Sequence, residues 1–403
     1  MRALVVLTLS LSLTAALACG GDATSSDDVV RTDSAGVEIV VSPSVDRPID
    51  LSPTELFRLG GEDTGPASFT RVAEWNVDAD AAGNLYVLDG NAFRIVVFSP
   101  DGEHLRSMGS EGEGPGELQF PSGMSVTPDG EAVVFDIGKR ALVPYGPDGT
   151  ARQPIQFPYY TDPGVRHFRR TGTDVLVTRS ITIDEDRRGN ELIAFSHVAG
   201  SPDTVTLARI EYDRPEMVEF DCMALMMRPL FEPVIRWRAS EDLVAVVTDA
   251  GYRVDLFGRD GALVRSIRRD LPVREASMED AVAEAEPGMR MMGQASCEAS
   301  AREVAEGRGF VPALPAIRDV LIATDGTLWV ERFEPGGRAE NLSGPIDLFD
   351  ASGAYMGTLP AGTRFPIALL PGDRIAVAEK DAFDVERLVV LRVSATEDLE
   401  SAP

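Results

Sequence analysis

Basic residues are scarce in this chain. Lys and Arg number 38 against 65 Asp and Glu, a formal net charge of −27 over 403 residues. Nucleic-acid binding needs a basic field to meet phosphate, so that class of partner is excluded. Histidine and cysteine occur three times each. No His-rich metal motif can be built from them, and neither a Gly-x-Ser-x-Gly elbow nor a phosphate-binding loop is present. Only one long uncharged run exists, residues 3–18, shorter than the ~20 residues that span a bilayer as a helix. What the chain does have is 44% hydrophobic residues, enough for a sizeable core, and 37 Gly and 27 Pro to divide it into short strands and turns.

Arg2 precedes the uncharged run, and Ala16-Leu17-Ala18-Cys19-Gly20 ends it. A basic start, a short apolar stretch and small residues at the break describe a secretory signal. The box ending in Cys19 resembles the bacterial lipoprotein signal, in which that cysteine is lipidated after cleavage. The resemblance implies a signal peptide over 1–18, lipid on Cys19, and a location in the bacterial cell envelope. Gly20, where Asp would retain an enterobacterial lipoprotein at the inner membrane, implies the outer membrane. Plain secretion is the alternative. Residues 19–36 are small and polar and are expected to form a flexible tether.

The chain repeats itself. LFRLGGEDTGPASF at 56–69 and LRSMGSEGEGPGEL at 105–118 align Gly60 with Gly109, Glu62 with Glu111, Gly65 with Gly114 and Pro66 with Pro115. NLYVLD ending at Asp89 and EAVVFD ending at Asp136 continue the match. Each unit alternates apolar and polar residues between turn signals, as short antiparallel strands do. Asp101-Gly102, Asp129-Gly130 and Asp148-Gly149 supply the positive φ that tight hairpins need. Looser copies follow near 164–211, 233–270 and 316–362, and from about 365. The last copy has three strands, and Leu56–Gly60 matches the missing fourth.

Four-stranded units repeated around an axis make a β-propeller. The expected fold is therefore all-β: six blades of four antiparallel strands over 37–398, closed by an N-terminal strand, with a helical insertion at about 271–315 between blades four and five. The first two units also resemble NHL-type repeats, through GEGPGE at 112–117, Phe120-Pro121, Asp129-Gly130, and Asp89 and Asn91 followed by Arg94-Ile95. They look much like the six-bladed propeller lipoproteins of some Gram-negative bacteria.

In such a blade, loops joining strands two and three share a face with the blade-to-blade connections. The predicted long segments, 60–69, 109–121, 157–165, 212–232 and 271–315, all fall on that face, and the tight turns fall on the other. Loops on a rigid scaffold carry function, so the loop-rich face is the expected binding face. Arg166, Arg236, Trp237, Arg238 and Arg318 lie at the starts of innermost strands, and Arg332 ends a second strand. Arginine forks suit carboxylate or phosphate, so these six are ligand candidates. Balancing the chain's own acids is the competing role. Asp89, Asp136, Asp249 and Glu331 end second strands and could hold Ca²⁺ through oxygen. In NHL-type repeats, however, such an Asp pairs with an Arg a few residues on, as Asp89 with Arg94 and Asp249 with Arg253.

Ser277 is the expected N-cap of a helix over SMEDAVAEAE, broken at Pro287-Gly288, with a second helical stretch from about Met289 to Glu306. Eight of the 12 Met lie in 212–232 and 276–307. Met repacks readily, which suits an adaptable surface and equally an ordinary core. With Cys19 lipidated, Cys222 and Cys297 remain, one in each insertion, and a disulfide between them is expected in an oxidising compartment. The function expected is an envelope-anchored binding module holding a protein, peptide or glycan on the loop-rich face, without a required cofactor. The alternative is a Ca²⁺-dependent, lactonase-like hydrolase at the channel mouth.

Overall fold

The computed structural model describes residues 29–61, 65–69, 76–156, 168–171, 175–183, 187–196, 204–221, 223–290, 297–337, 343–380 and 386–395. The expected signal peptide, Cys19 and most of the expected tether lie outside these residues.

Blade one shows why the sequence folds into blades. Its middle strands, Leu85–Asp89 and Arg94–Phe98, are buried almost throughout, while the outer strand His104–Met108 is largely exposed. A middle strand is covered on both faces by neighbouring blades, so it reads as a continuous apolar run rather than an alternating one. Blade two repeats the pattern with Pro121–Val126, Ala132–Asp136, Ala141–Tyr145 and Ile155–Gln156. Blade three contains Phe168–Thr171, Val175–Ile183, Arg187–Ser196 and Thr204–Asp213. Blade four contains Arg236–Ala239, Leu243–Val247, Arg253–Gly258 and Leu263–Arg269. Blade five contains Ile317–Ile322, Leu328–Arg332, Ile346–Phe349 and Tyr355–Leu359. Within each of these four-stranded sets the neighbours are antiparallel and in sequence order. The innermost strands of consecutive blades touch in one complete cycle. The protein is a six-bladed β-propeller.

Blade six closes the ring. Ala368–Leu370, Arg374–Lys380 and Glu386–Ala395 are completed by Leu51–Leu59, which pairs antiparallel with Glu386–Ala395 from Leu51 opposite Ala395 to Leu59 opposite Leu388. The closing strand is longer than the five residues the repeat predicted, because pairing begins at Leu51.

The core lies between blades rather than within them. One apolar cluster joins blades six and one, another one and two, another three and four, another four and five, and another five and six. Tight turns also pack sideways. A Cβ on Gly261, whose φ is +80°, would stand 2.2 Å from Val205 Cγ1 of blade three, so that turn needs glycine for space as well as for φ.

Three expectations are corrected. The tether does not reach residue 36: Val30–Ser34 and Val37–Ser42 form a hairpin, and the second strand pairs parallel to Leu263–Arg269, making blade four six-stranded. Residues 30–34 are drawn into the sheet by pairing with the apolar strand that follows them, Val37, Ile39, Val40 and Val41, of which Val40 is fully buried. Residues 212–232 contain a hairpin, Glu216–Phe220 with Met223–Met227. The second insertion helix begins only at Ala301, because Ser300 caps it; Met289–Arg290 is a short strand paired with Glu298–Ala299.

Candidate ligand cleft on the loop-rich face

Two helices, α1 (Met278–Ala285) and α2 (Ala301–Arg308), form the insertion between blades four and five. Each has a reciprocal capping box, Ser277 with Asp280 and Ser300 with Glu303. Such a box satisfies two otherwise orphaned N–H groups and defines where the helix starts. Gly288 keeps the helices close: at φ +91°, a Cβ there would lie 2.5 Å from the Ala299 carbonyl oxygen. Ala281, Ala305, Leu230, Phe231, Leu314 and Phe333 form the apolar cluster beneath them. The connection from blade three is stitched to the same insertion, as Leu230 N–H donates to the Gly309 carbonyl at 2.9 Å and Val311 N–H to the Leu230 carbonyl at 3.1 Å.

A cleft of about 370 Å³ opens between this lid and the ends of blades four and five, lined among others by Arg228, Phe231, Arg236, Glu284, Arg308 and Phe333. Its charges are unequally satisfied. Glu284 of α1 is gripped by both Arg318 nitrogens, at 3.0 and 2.8 Å, and that guanidinium lies 4.1 Å from the Phe333 ring centre. Arg228 stacks 3.9 Å over Tyr212 and pairs with Glu232 at 2.7 Å. Arg308, in the last turn of α2, donates its Nε to the Arg228 carbonyl at 2.9 Å and makes no ion pair among the described residues. Burial pushes its pKa below the ordinary arginine value, only partly countered by the field of Glu284. A partly desolvated guanidinium that lines a cleft is suited to an incoming carboxylate.

The six ligand candidates separate. Arg236 lines this cleft. Arg238 does not: it is buried, pairs with Asp319 at 3.0 Å, and borders a second cavity of about 220 Å³ at the tight-turn end of the axis, with Asp78, Asp80 and Glu241. Trp237 is 4% exposed within the blade three–four core, so it has no surface for a ligand; strand alternation turns it away from the side shared by Arg236 and Arg238. Arg318 is held by Glu284 as described. Arg166 lies outside the described residues.

Arg332 belongs to a buried knot between blades four and five. Asp347, fully buried, accepts from Arg332 Nε at 3.0 Å and NH2 at 2.8 Å, from Tyr252 at 2.6 Å and from Thr358 at 2.6 Å, and pairs with the equally buried Arg269 at 3.0 Å. Asp46, on the segment after the N-terminal hairpin, covers both arginines. Burial opposes charge on Arg332, but its hydrogen bonds to Asp46 and Asp347 outweigh this and hold its pKa above the ordinary value.

The carboxylate candidates do not converge. Asp89 pairs with Arg94 at 3.6 Å, and Asp249 pairs with Arg253 at 3.2 Å. Asp136 accepts backbone N–H groups from Gln119, Phe120 and Lys139, which anchors the turn after its strand. Glu331 is buried in blade five. Among the described residues, no group of three or more His, Cys, Asp or Glu is placed to hold a metal ion.

A family model described as a 6-bladed beta-propeller, DUF5128, matches residues 76–171. No curated protein matches the chain. Among solved structures, the chain is similar to a Bacteroides fragilis protein described as exported, at 13% identity and a TM-score of 0.49, covering 88% of this chain and 99% of the other. It is similar to a member of the DUF4221 family from Bacteroides vulgatus at 9% identity and a TM-score of 0.49, over 87% and 100% of the two chains. Virginiamycin B lyase from Staphylococcus aureus is a more distant likeness, at 12% identity and a TM-score of 0.38, over 85% and 99%.

Proposed function

We propose that this protein is an envelope-anchored binding module that takes a carboxylate-bearing ligand, the acidic group of a peptide or glycan, in the cleft beneath the helical insertion. Arg308 carries the reading. In a chain of net charge −27, a partly buried cation with no ion pair among the described residues lines a cleft together with Phe231 and Phe333. Phe231 and Phe333 meet edge to face, with ring centres 5.6 Å apart, and give an apolar wall beside the charge. The signal-like run before Cys19 supports the anchoring and the cell-envelope location, with the outer membrane as the finer expectation.

Calorimetry with tri-glutamate and with glucuronic acid tests the site. Saturable binding is expected in the wild type. Arg308→Ala should weaken it about tenfold or more, the scale of one charged hydrogen bond, with part of the affinity kept in Arg308→Lys. Arg236→Ala should also weaken it. No binding of either probe, or equal binding by Arg308→Ala, would overturn the reading.

We further propose that Cys222 and Cys297 form a disulfide that ties the 216–227 hairpin to the insertion. Cys222 itself lies outside the described residues. Support comes from the burial of Cys297 beside Met223, the residue after Cys222. Denaturing thiol labelling without reductant is expected to modify neither residue. Labelling of both would remove the bond.

A further inference from the structure

The strand pairings orient the molecule relative to its anchor. Leu263–Arg269 starts at the Asp260-Gly261 turn, on the tight-turn face, and ends at the insertion, on the loop-rich face. Val37–Ser42 runs parallel to it, with Ser42 opposite Arg269. Val30–Ser34 runs antiparallel to that strand, with Val30 opposite Val41. Val30 is therefore at the loop-rich end, and the chain toward Cys19 leaves from there. Val29 lies ten residue steps after Cys19, and ten steps of chain reach at most about 35 Å fully extended.

Among the described residues, the same face carries most of the exposed large apolar side chains. Val30, Val45, Phe120, Met217, Met226 and Val273 lie at its strand ends and connections, whereas Leu105 and Val264 lie beside tight turns. Isolated exposed apolar residues are ordinary on any protein. Here they coincide with the end from which the short anchor departs. An acidic protein gains nothing electrostatically from an anionic membrane, so contact has to be apolar and held by the anchor.

We propose that the loop-rich face is held against the lipid surface of the anchoring membrane, with Met217, Met226 and Val273 among its contact residues. The cleft then opens toward the bilayer, and its ligand is one presented at the membrane surface. The proposal rests on lipidation of Cys19.

The test uses full-length lipidated protein in vesicles of phosphatidylethanolamine and phosphatidylglycerol carrying a trace of rhodamine lipid. A donor fluorophore is attached through an azide-bearing amino acid in place of Val273 on the loop-rich face, or of Ala351 on a tight turn of the adjacent blade. Quenching is expected to be about twofold or more stronger at 273, given a tether no longer than ~35 Å. Cys19→Ser should abolish vesicle association and quenching at both positions. Equal quenching at the two positions, or stronger quenching at 351, in lipidated protein overturns the orientation alone. Energy transfer between 273 labels without vesicles would assign the face to a second copy and likewise overturn it. Absence of lipid mass on Cys19 overturns the anchored reading and the orientation with it. The binding of tri-glutamate by the cleft is measured separately and depends on neither result.

Discussion

Asp347→Ala is expected to lower stability by about 3–5 kcal/mol, read as a fall in the urea midpoint at unchanged slope. The size follows from what the substitution leaves behind. Arg269 and Asp347 are both fully buried, and Arg332 is largely so. Removing the carboxylate strands two guanidinium groups in a low-dielectric junction and leaves the Tyr252 and Thr358 hydroxyls without their acceptor. Asp46 remains to pair with both arginines, but it is more exposed and meets them from the outer side. Asp347→Asn should recover only part of the loss, since the amide restores hydrogen bonding but no charge. Replacing Asp347, Arg269 and Arg332 together by apolar residues of similar volume should be less damaging than Asp347→Ala, because no unpaired charge is then buried. A loss below about 1 kcal/mol for Asp347→Ala would show that the knot relaxes or admits water.

A chain beginning at residue 62 is expected not to fold cooperatively. It lacks Leu51–Leu59, so Glu386–Ala395 becomes an open edge, and the cluster of Leu59, Leu388 and Val390 that joins blades six and one loses a wall. This strand is what closes the ring here, and each blade supplies one face of the next blade's core. Leu51 lies opposite Ala395, so a two-residue Asn-Gly turn can connect them as a hairpin. Appending residues 51–61 after Ala395 through that turn should restore a single sharp transition by circular dichroism. Failure of the rescue, or a cooperative transition without it, would refute closure as the cause. Starting at Leu51 instead should leave a folded but weaker protein. It keeps the ring and loses the outer hairpin, including Val40, whose full burial is worth about 1.5–3 kcal/mol.

The blades could be read from sequence because their signals are local. LYVLD and AVVFD are apolar on both faces, and the Asp-Gly turns demand a backbone few other pairs allow. The Asp89–Arg94 and Asp249–Arg253 pairs were equally legible, since a few residues across a turn bring the partners together. The N-terminal hairpin is not legible in the sequence because its strands are short and the first, Val30–Ser34, is wholly exposed. Only pairing with a strand more than two hundred residues later makes it part of the sheet.

The sequence by itself determined the number of blades, the strand that closes them and the face that carries the long connections. These follow from period, turn chemistry and alternation, all short-range properties. Tertiary structure alone decided which arginines are neutralised. Arg238, Arg318 and Arg332 find Asp319, Glu284 and Asp347 through packing between blades or between blade and insertion, whereas Arg308, unremarkable in sequence, is placed on a cleft with no ion pair among the described residues. The physical reason is that a guanidinium's role depends on which carboxylate lies within about 3 Å of its fork. Except for partners across a turn, that distance is set by how separate blades and the insertion pack.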